Sequence, residues 1–520
     1  MSTPVDLRMG IDVGGTNTDA VLIDRHNQLV AKTKTPTTED VGRGIATAMS
    51  EVLASAGTPK DRISHVMLGT THATNAVLRR RGLGRVAVVR VGGPASRSVP
   101  PLVSWPADLK AAVSAGEVIV DGQIEYDGRE DVPLDVEGLK RFLGTLEGRV
   151  DAVAVTGVFS PVSDRHELAA AEIARDMLGD VPVVISSEMG NIGIIDRENA
   201  TVLNASLIGL IGEVATGFSA SLAAQGINAS CWFAQNDGTL MSVDHVAQHP
   251  VLTIGCGPAN SLRGAAFLAG LSDGLVIDIG GTSADVGALT NGFPRQSALP
   301  VEVGGVRTNF RMPDLLSVAI GGGSVITDKH DAVQVGPDSV GHDIVSAALC
   351  FGGATPTLTD AANAVGRAAI GDHQAHRMDA RMATAAIAQA DRALREAVDR
   401  MKLSKRDQPL IAVGGGSVLL ETAMPGISTL QRPKHYEVAN AVGAAMATVS
   451  ASVDKLFAVT SRQRDALLEE AQQSALDEVV RLGGDPSTAS IVDVEENQLS
   501  YLPSPVLRLR VKAAAPLSGT

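Results

Sequence analysis

The chain opens with an apolar run over 6–12 that ends on Asp12, a turn at Gly14 and Gly15, and a second apolar run over 20–23. Runs this short and this apolar, separated by glycines, predict strand, turn and strand. The order matters, because dinucleotide-binding and Walker phosphate loops lead from a strand into a helix. Here the chain returns as a strand, so neither of those folds is expected. Beyond it, helix-like and strand-like segments alternate at 41–56, 65–69, 74–81, 86–91, 152–158 and 181–186, which is the pattern of an α/β sheet. Asp164 and Glu167 have capping-box spacing and predict a scaffold helix running through Leu168, Ala171 and Met177.

A long helix is expected to begin near Asp196 and to run through Val202, Ala205 and Ile208, followed by a hairpin built from 231–233 and the Asp237-Gly238 turn. A second lobe starts about here, and within it the opening pattern recurs. Residues 275–278 end on Asp278, Gly280-Gly281-Thr282 turns, and 284–289 returns as a strand. Side by side, MGIDVGGTNTDAVLID and LVIDIGGTSADVGALT share Ile-Asp, Gly-Gly-Thr and a second Asp at matching offsets, so a duplicated hairpin is expected. A third glycine run, Gly414-Gly415-Gly416, follows an apolar strand over 410–413 and leads toward a helix-like 418–422. The small residues of 438–445 predict a helix suited to tight packing between lobes. Helix-prone 461–482 and strand-like 499–511 close the chain as a small appended unit. The expected division is an N-terminal lobe over 1–195, a second lobe over 196–435, an interlobe connecting helix over 436–460 and an appendage over 461–520.

A chain of 520 residues is too long for one hydrophobic core, which agrees with two lobes. A net charge of -14 argues against a broad basic surface for nucleic acid, and 3% aromatics leave few platforms for base stacking. Cys231, Cys256 and Cys350 are odd in number and far apart, which supports neither a disulfide framework nor a closed zinc site. No basic-then-apolar leader opens the chain, and no run of about 18 apolar residues is expected to span a membrane. The expectation is a soluble cytoplasmic protein.

Both hairpins place glycines where consecutive backbone N–H groups can cradle a phosphate, with Thr16, Asn17, Thr282 and Ser283 adding hydroxyl or amide bonds. Asp12 and Asp278 end their strands at the turns, where carboxylates can hold a hydrated magnesium ion against phosphate charge. The run at Gly414, Gly415 and Gly416 suits close approach of a flat adenine or ribose. Thr70, Thr71 and His72 sit where a strand gives way to a helix, so their N–H groups and the imidazole can face a carbonyl or a developing negative charge. A plain helix cap explains the same residues. Asp19 and Asp285 are expected to fix their turns rather than to act as bases, and Cys350 to be packing.

In order, these elements resemble the phosphate-1, phosphate-2, adenosine and connecting motifs of the superfamily of actin, sugar kinases and heat-shock chaperone ATPases. Within it, the chain resembles the hydantoinase A/oxoprolinase family at 10–19, at Gly69-Thr70-Thr71-His72-Ala73-Thr74-Asn75-Ala76, at Gln235-Asn236-Asp237-Gly238 and at Gly257-Pro258-Ala259. The likeness continues at 278–286, Gly321-Gly322-Gly323-Ser324 and Val335-Gly336-Pro337-Asp338-Ser339. The resemblance implies a two-lobed actin-like, ribonuclease-H-like α/β fold with a small C-terminal α/β appendage. It further implies an ATP- and magnesium-dependent opening of a lactam, hydantoin or similar ring. This chain would phosphorylate the ring carbonyl oxygen, and a hydantoinase B-like hydrolytic subunit would partner it in a hetero-oligomer. Asp12, Asp278 and His72 would then carry the chemistry. One departure stands out: an Asp-Ile-His-type stretch of longer members reads Asp314-Leu315-Leu316-Ser317 here, without the His. A small-molecule kinase on the same fold and an ATP-driven reactivase remain alternatives.

Overall fold

The computed structural model describes residues 7–15, 17–37, 41–190, 193–297, 299–329, 332–372, 378–402, 404–458, 464–499 and 506–518. The opening strand, Leu7–Val13, is buried at every position, as a strand with covered faces must be. It pairs antiparallel with Asn17–Asp24 and parallel with Ile63–Thr70, so that Asp12 lies opposite Asp19 on one side and Gly69 on the other. Around this centre a nine-stranded sheet runs from Leu29–Pro36 at one edge through Ser230–Ala234, Thr239–Ser242, Thr448–Ala458 and Val506–Ala515 to Ser490–Leu499. The helices Val41–Ala56 and Ile194–Ala224 cover it with one apolar core.

Two further sheets complete the architecture. Val183–Ile185, Ala152–Gly157, Val86–Gly93 and Ser114–Asp121 form a parallel four-stranded sheet. The second lobe is a six-stranded sheet around Gly274–Ile279, which pairs antiparallel with Ala284–Thr290 and parallel with Gln408–Val413. The helix Ala380–Met401 lays Ala383, Ile387, Ala390 and Leu394 against that sheet, a stripe of helical period. Its Asp379 side chain caps the first turn by accepting the Met382 N–H.

Where the halves meet, the helix Ala439–Met446 crosses the helix Cys256–Ala269 with almost no side chain between them. A Cβ on Gly264 would stand 1.8 Å from the Ala439 carbonyl oxygen, and one on Gly443 would stand 1.9 Å from that of Asn260. A Cβ on Gly10 would stand 2.1 Å from Ala441 O, so the same helix also lies against the opening strand. Small residues at 438–445 are thus required by contact between backbones.

Several expectations need correction. The hairpin at 230–242 and the strands after 448 join the first sheet, so the sheets divide the chain differently from boundaries at 196 and 461. Glu167 does not complete a capping box. It is buried and accepts from the N–H groups of Gly157 and Ser187, tying the end of a strand to the next segment. The expected helix at 418–422 is a 3-10 turn over Gly415–Leu419. The strand expected over 499–511 is two antiparallel strands, Ser490–Leu499 and Val506–Ala515. Ile194–Ala224 is long and apolar enough to cross a membrane, with mean hydropathy 1.5 over an 18-residue stretch, contrary to the expectation that no segment is. In this fold its Leu207, Ile211, Ala215, Phe218 and Leu222 face the core.

Candidate functional site

The two hairpins are built alike. In the first, Gly14 N–H donates to Asn17 O at 3.0 Å, and in the second Gly280 N–H donates to Ser283 O at 2.9 Å. The expectation of consecutive free N–H groups is therefore corrected for the leading glycine of each pair, which closes the turn. The second glycines differ. A Cβ on Gly15 would meet nothing within 4 Å, and one on Gly281 only Gly341 O at 3.8 Å. Neither has a positive φ, and neither N–H has an acceptor among the described residues. Neither packing nor backbone strain requires glycine there, and the bare backbone is one that a ligand can approach closely. Thr16 lies outside the described residues. Asn17, Thr282 and Ser283 are at least partly open to solvent at the turns.

The aspartates behind the turns are brought together by one helix. Asn260 Nδ2 donates to Asp12 Oδ1 at 3.1 Å, and Asn440 Nδ2 donates to Asp12 Oδ2 at 3.0 Å. The next residue, Ser261, is the favourable polar neighbour of Asp278. Burial pushes Asp12 up to about 6 against the lowering effect of Asn260, and burial likewise pushes Asp278 up to about 6. Repulsion between the two carboxylates adds to the rise at Asp278, so they lie within electrostatic reach of each other. Two such carboxylates, with amide donors at Asp12, a hydroxyl donor at Asp278 and, among the described residues, only the more distant Lys34 as a cation acting on them, suit a hydrated divalent ion. Among the described residues no cluster of three or more His, Cys, Asp or Glu side chains is arranged to hold a metal. A magnesium ion would therefore depend largely on water and phosphate oxygens.

The surrounding residues sort into supports. Asp19 is buried and paired with Lys34 Nζ at 2.6 Å, while Asp285 accepts from the Ser317 hydroxyl, so each bonds to the residue opposite it on the neighbouring strand rather than within its own turn. Gly414 has φ +81°, and a Cβ there would stand 2.1 Å from Asp278 Oδ1. A Cβ on Gly416 would stand 2.9 Å from Gly280 O. These two glycines let the third run pack onto the second hairpin, and Gly415 alone faces open space. Thr70 has its backbone bonded to Cys256 Sγ and its hydroxyl to His72 Nδ1, and the Thr71 hydroxyl donates to Val13 O at 3.1 Å. This knot ties the start of the helix His72–Arg79 to the strand end before Gly14. Burial holds His72 below its ordinary value, which keeps the ring neutral.

Residue reasoning missed Lys34, Asn260 and Ser261, and took Asn440 for packing alone. It also left Gly321–Gly323 without a role. Gly322 N–H donates to Gly280 O at 3.0 Å and Gly323 N–H donates to Gly281 O at 2.6 Å, so this loop pins the backbone of the second turn. The Lys-Thr-Lys alternation of 32–34 was the signal available for Lys34. Nothing local marked Asn260, whose role depends on a helix crossing.

Comparison with known proteins agrees with this arrangement. Residues 8–178 match the family described as hydantoinase/oxoprolinase N-terminal region, and residues 197–374 match hydantoinase/oxoprolinase. The caprolactamase subunit alpha of Pseudomonas jessenii is 29% identical over 391 residues, covering 70% of this chain and 55% of that protein. The 5-oxoprolinase 1 of Arabidopsis thaliana is 28% identical over 377 residues, covering 64% of this chain and 29% of that protein. The chain thus spans about half, or less, of the length of these curated relatives. The crystal structure of ATP-dependent caprolactamase from Pseudomonas jessenii superposes with a TM-score of 0.78 at 21% identity, covering 98% of this chain and 88% of that one, a likeness of fold. With two hairpin-centred sheets joined by crossing helices, the chain has the two-lobed actin-like α/β fold, and it belongs to the hydantoinase/oxoprolinase family.

Proposed function

We propose that the chain is the ATP-binding subunit of an ATP-dependent cyclic-amide hydrolase. The observation that carries this reading is the pairing of two matched hairpins whose aspartates are both approached from consecutive residues, Asn260 and Ser261, of one helix. Gly15 and Gly281 leave open space for phosphate oxygens, Asp12 and Asp278 would hold hydrated magnesium, and Gly415 would face the nucleoside. Magnesium-bound ATP would supply a phosphoryl group, turning the poor leaving oxygen of a ring amide into a good one. The residues of the chain align and hold the phosphate chain rather than react covalently, in keeping with phosphoryl transfer governed by position and charge. Thr70, Thr71 and neutral His72 border the first turn and are the proposed contacts to the ring carbonyl.

The names of the relatives, a caprolactamase alpha subunit and a 5-oxoprolinase, support the ring-amide class. A hydantoinase B-like partner in a hetero-oligomer is proposed on the same footing, to carry out the water attack. The three free cysteines fit a reducing cytoplasm. The direct test is phosphate release from ATP by the chain with its co-purified partner, with and without hydantoin, 5-oxoproline and caprolactam. Stimulation by a ring amide with ring-opened product supports the reading. A phosphorylated small product, or stimulation by a protein alone, would replace it with a kinase or a reactivase.

A further inference from the structure

The strand Thr448–Ala458 has two edges, and only one is covered along its length. Val506–Ala515 pairs with that edge from Val449 to Ala458. On the other edge, Thr239–Ser242 pairs only at Thr448 and Val449. The chain then turns into the helix Val243–Gln248, whose first turn is capped by the Ser242 hydroxyl accepting from the His245 N–H. From Ser450 onward, no strand among the described residues takes that place in the sheet. A cavity of about 360 Å³ lies there, lined by Val449, Ser450, Ala451 and Ser452 and, across from them, by Met241 and Ser242. Successive side chains of a strand point to opposite faces, so four consecutive residues reach one cavity only where it runs along the edge of the strand. Neither glycine turn contributes to its wall.

Residues around this edge also carry buried polar atoms with no partner among the described residues. These are Asn236 Nδ2, Gln296 Oε1, His249 Nδ1, Trp232 Nε1, and both Nδ2 and Oδ1 of Asn309. Asn236 is only 3% exposed. The Asn309 carboxamide is held in position, lying where a Cβ on Gly190 would approach it to 2.6 Å. Buried polar groups are disfavoured unless they are paired, so an open strand edge and these atoms, converging on one cavity, mark a place built to be filled. Three of the five residues are carboxamides, whose donors and acceptors are those of a peptide group.

The charges of the wall are already matched. Asp237 pairs with Lys512 Nζ at 2.6 Å, Arg508 with Asp454 at 2.6 Å, and Arg311 with Glu495. Arg510 also reaches Glu495, and Glu478 pairs with Arg481. Burial pushes His249 down to about 4 and holds His245 below its ordinary value, so both rings are neutral near pH 7. An uncharged occupant suits such a wall, and Met241, Leu252, Phe310 and Leu482 add apolar area to it. Lys455, an exposed charge of the kind that blunts a strand edge, stands on the same strand but beyond the residues that line the cavity.

A small ligand can meet separate side chains, but a run of strand N–H and C=O groups is met by another extended chain. We propose that this slot docks an extended, uncharged segment of a partner polypeptide, which adds to the sheet as a strand along Ser450–Val453. The carboxamides of Asn236, Gln296 and Asn309 meet peptide groups of the same segment that the strand edge does not, and Trp232 covers one side. Backbone pairing supplies the affinity, and the matched charges of the wall turn away segments bearing Asp, Glu, Lys or Arg. Taking the partner to be the hydrolytic subunit rests on the function proposed above; the docking itself does not.

The test titrates the full chain, without nucleotide, with a capped pentapeptide of alternating serine and valine. Tryptophan emission follows binding, Trp232→Phe assigns the signal, and hydrogen exchange reads the amides of 450–453. Saturable binding with slowed exchange at these amides is expected. The same peptide N-methylated at every residue, which keeps its side chains and loses its donors, should bind at least tenfold more weakly, as should a version with aspartates in place of the valines. Ser452→Lys changes an exposed position, so it should fold as the natural chain does and lose binding, and Asn309→Leu should weaken binding several-fold. No saturable binding, equal binding of the N-methylated peptide, or an undiminished Ser452→Lys would overturn the proposal. So would N-methylacetamide binding as tightly as the peptide, which would give the cavity to a small amide. In the complex with the co-purified partner the same amides should already be protected. Exchange there as fast as in the chain alone, or protection in the chain alone that is lost on dilution, would overturn the assignment to a partner, the latter giving the slot to a second copy. Nucleotide binding on the same samples separates the readings: peptide binding without it sinks only the ATPase reading, and the reverse sinks only this slot.

Discussion

The two glycine hairpins share a register and differ in what stands behind them. Asp12 faces Asp19 and Asp278 faces Asp285 at equivalent positions. Asp12, however, is clamped by two amides from two helices, whereas Asp278 has one hydroxyl neighbour. Asp19 is balanced by a lysine and Asp285 by a serine. Gly69 and Gly414 play the same part, since a Cβ on either would stand 2.2 Å or 2.1 Å from the neighbouring aspartate oxygen. The duplication thus preserved the turn and the bare backbone beside each carboxylate, while the polar supports diverged. The first hairpin is held through side chains at Asp12, and the second leans on Gly321–Gly323 through its backbone.

The largest effect expected is on what joins the hairpins. Gly264→Ala drives a methyl group to 1.8 Å from Ala439 O, and we expect a loss of about 4 kcal/mol or more, read by denaturant unfolding. A variant with natural stability would mean that the helix crossing is not as close as described. Next, Asp12→Ala should weaken magnesium-nucleotide binding at least about 100-fold, or about 3 kcal/mol. Asp278→Ala should do so to a similar degree, because both carboxylates would hold the magnesium ion; calorimetry distinguishes equal from unequal roles.

Smaller effects sharpen the contrast between supports. Lys34→Met leaves Asp19 buried without its cation and should cost about 2 kcal/mol, discounted because the lysine is partly exposed. Ser317→Ala should cost Asp285 about 1 kcal/mol. Equal costs would show that the two supports are equivalent. The pH dependence has a defined sign. Asp12 and Asp278 rise from 3.8 to about 6 on folding, so the folded state binds their protons more tightly than the unfolded one. Stability from these groups is present below pH 4 and is lost as pH climbs through about 6. Magnesium-nucleotide binding needs the ionised pair and should strengthen over the same interval. Melting curves with and without magnesium and an ATP analogue, taken across pH 5–7, should therefore diverge.

Much of this was legible in the chain. Each hairpin is encoded within sixteen residues by local pattern, apolar strand then glycines then strand, and local signals survive folding. The small-residue helix was legible for the same reason, since only contact between backbones demands Ala and Gly at every turn. Asn260 and Ser261 were not, because their meaning comes from a helix that passes between residues 12 and 278. Gly414 read as a nucleoside contact, yet its φ of +81° and its distance to Asp278 give it a structural cause. The strand Thr448–Ala458 read as part of a connecting helix and the strands after 490 as an appendage, because sheet membership is set by pairing across hundreds of residues, which no local period records.

The central claim is that two hairpins form one nucleotide site, and the most direct measurement is calorimetric titration of the full chain with magnesium and a non-hydrolysable ATP analogue. It is to be repeated with Asp12→Ala and with Gly281→Val, whose new side chain points into space that the protein leaves open. The account predicts one saturable site in the natural chain, lost in both variants although each remains folded. No binding by the natural chain, or undiminished binding by Gly281→Val, would contradict it.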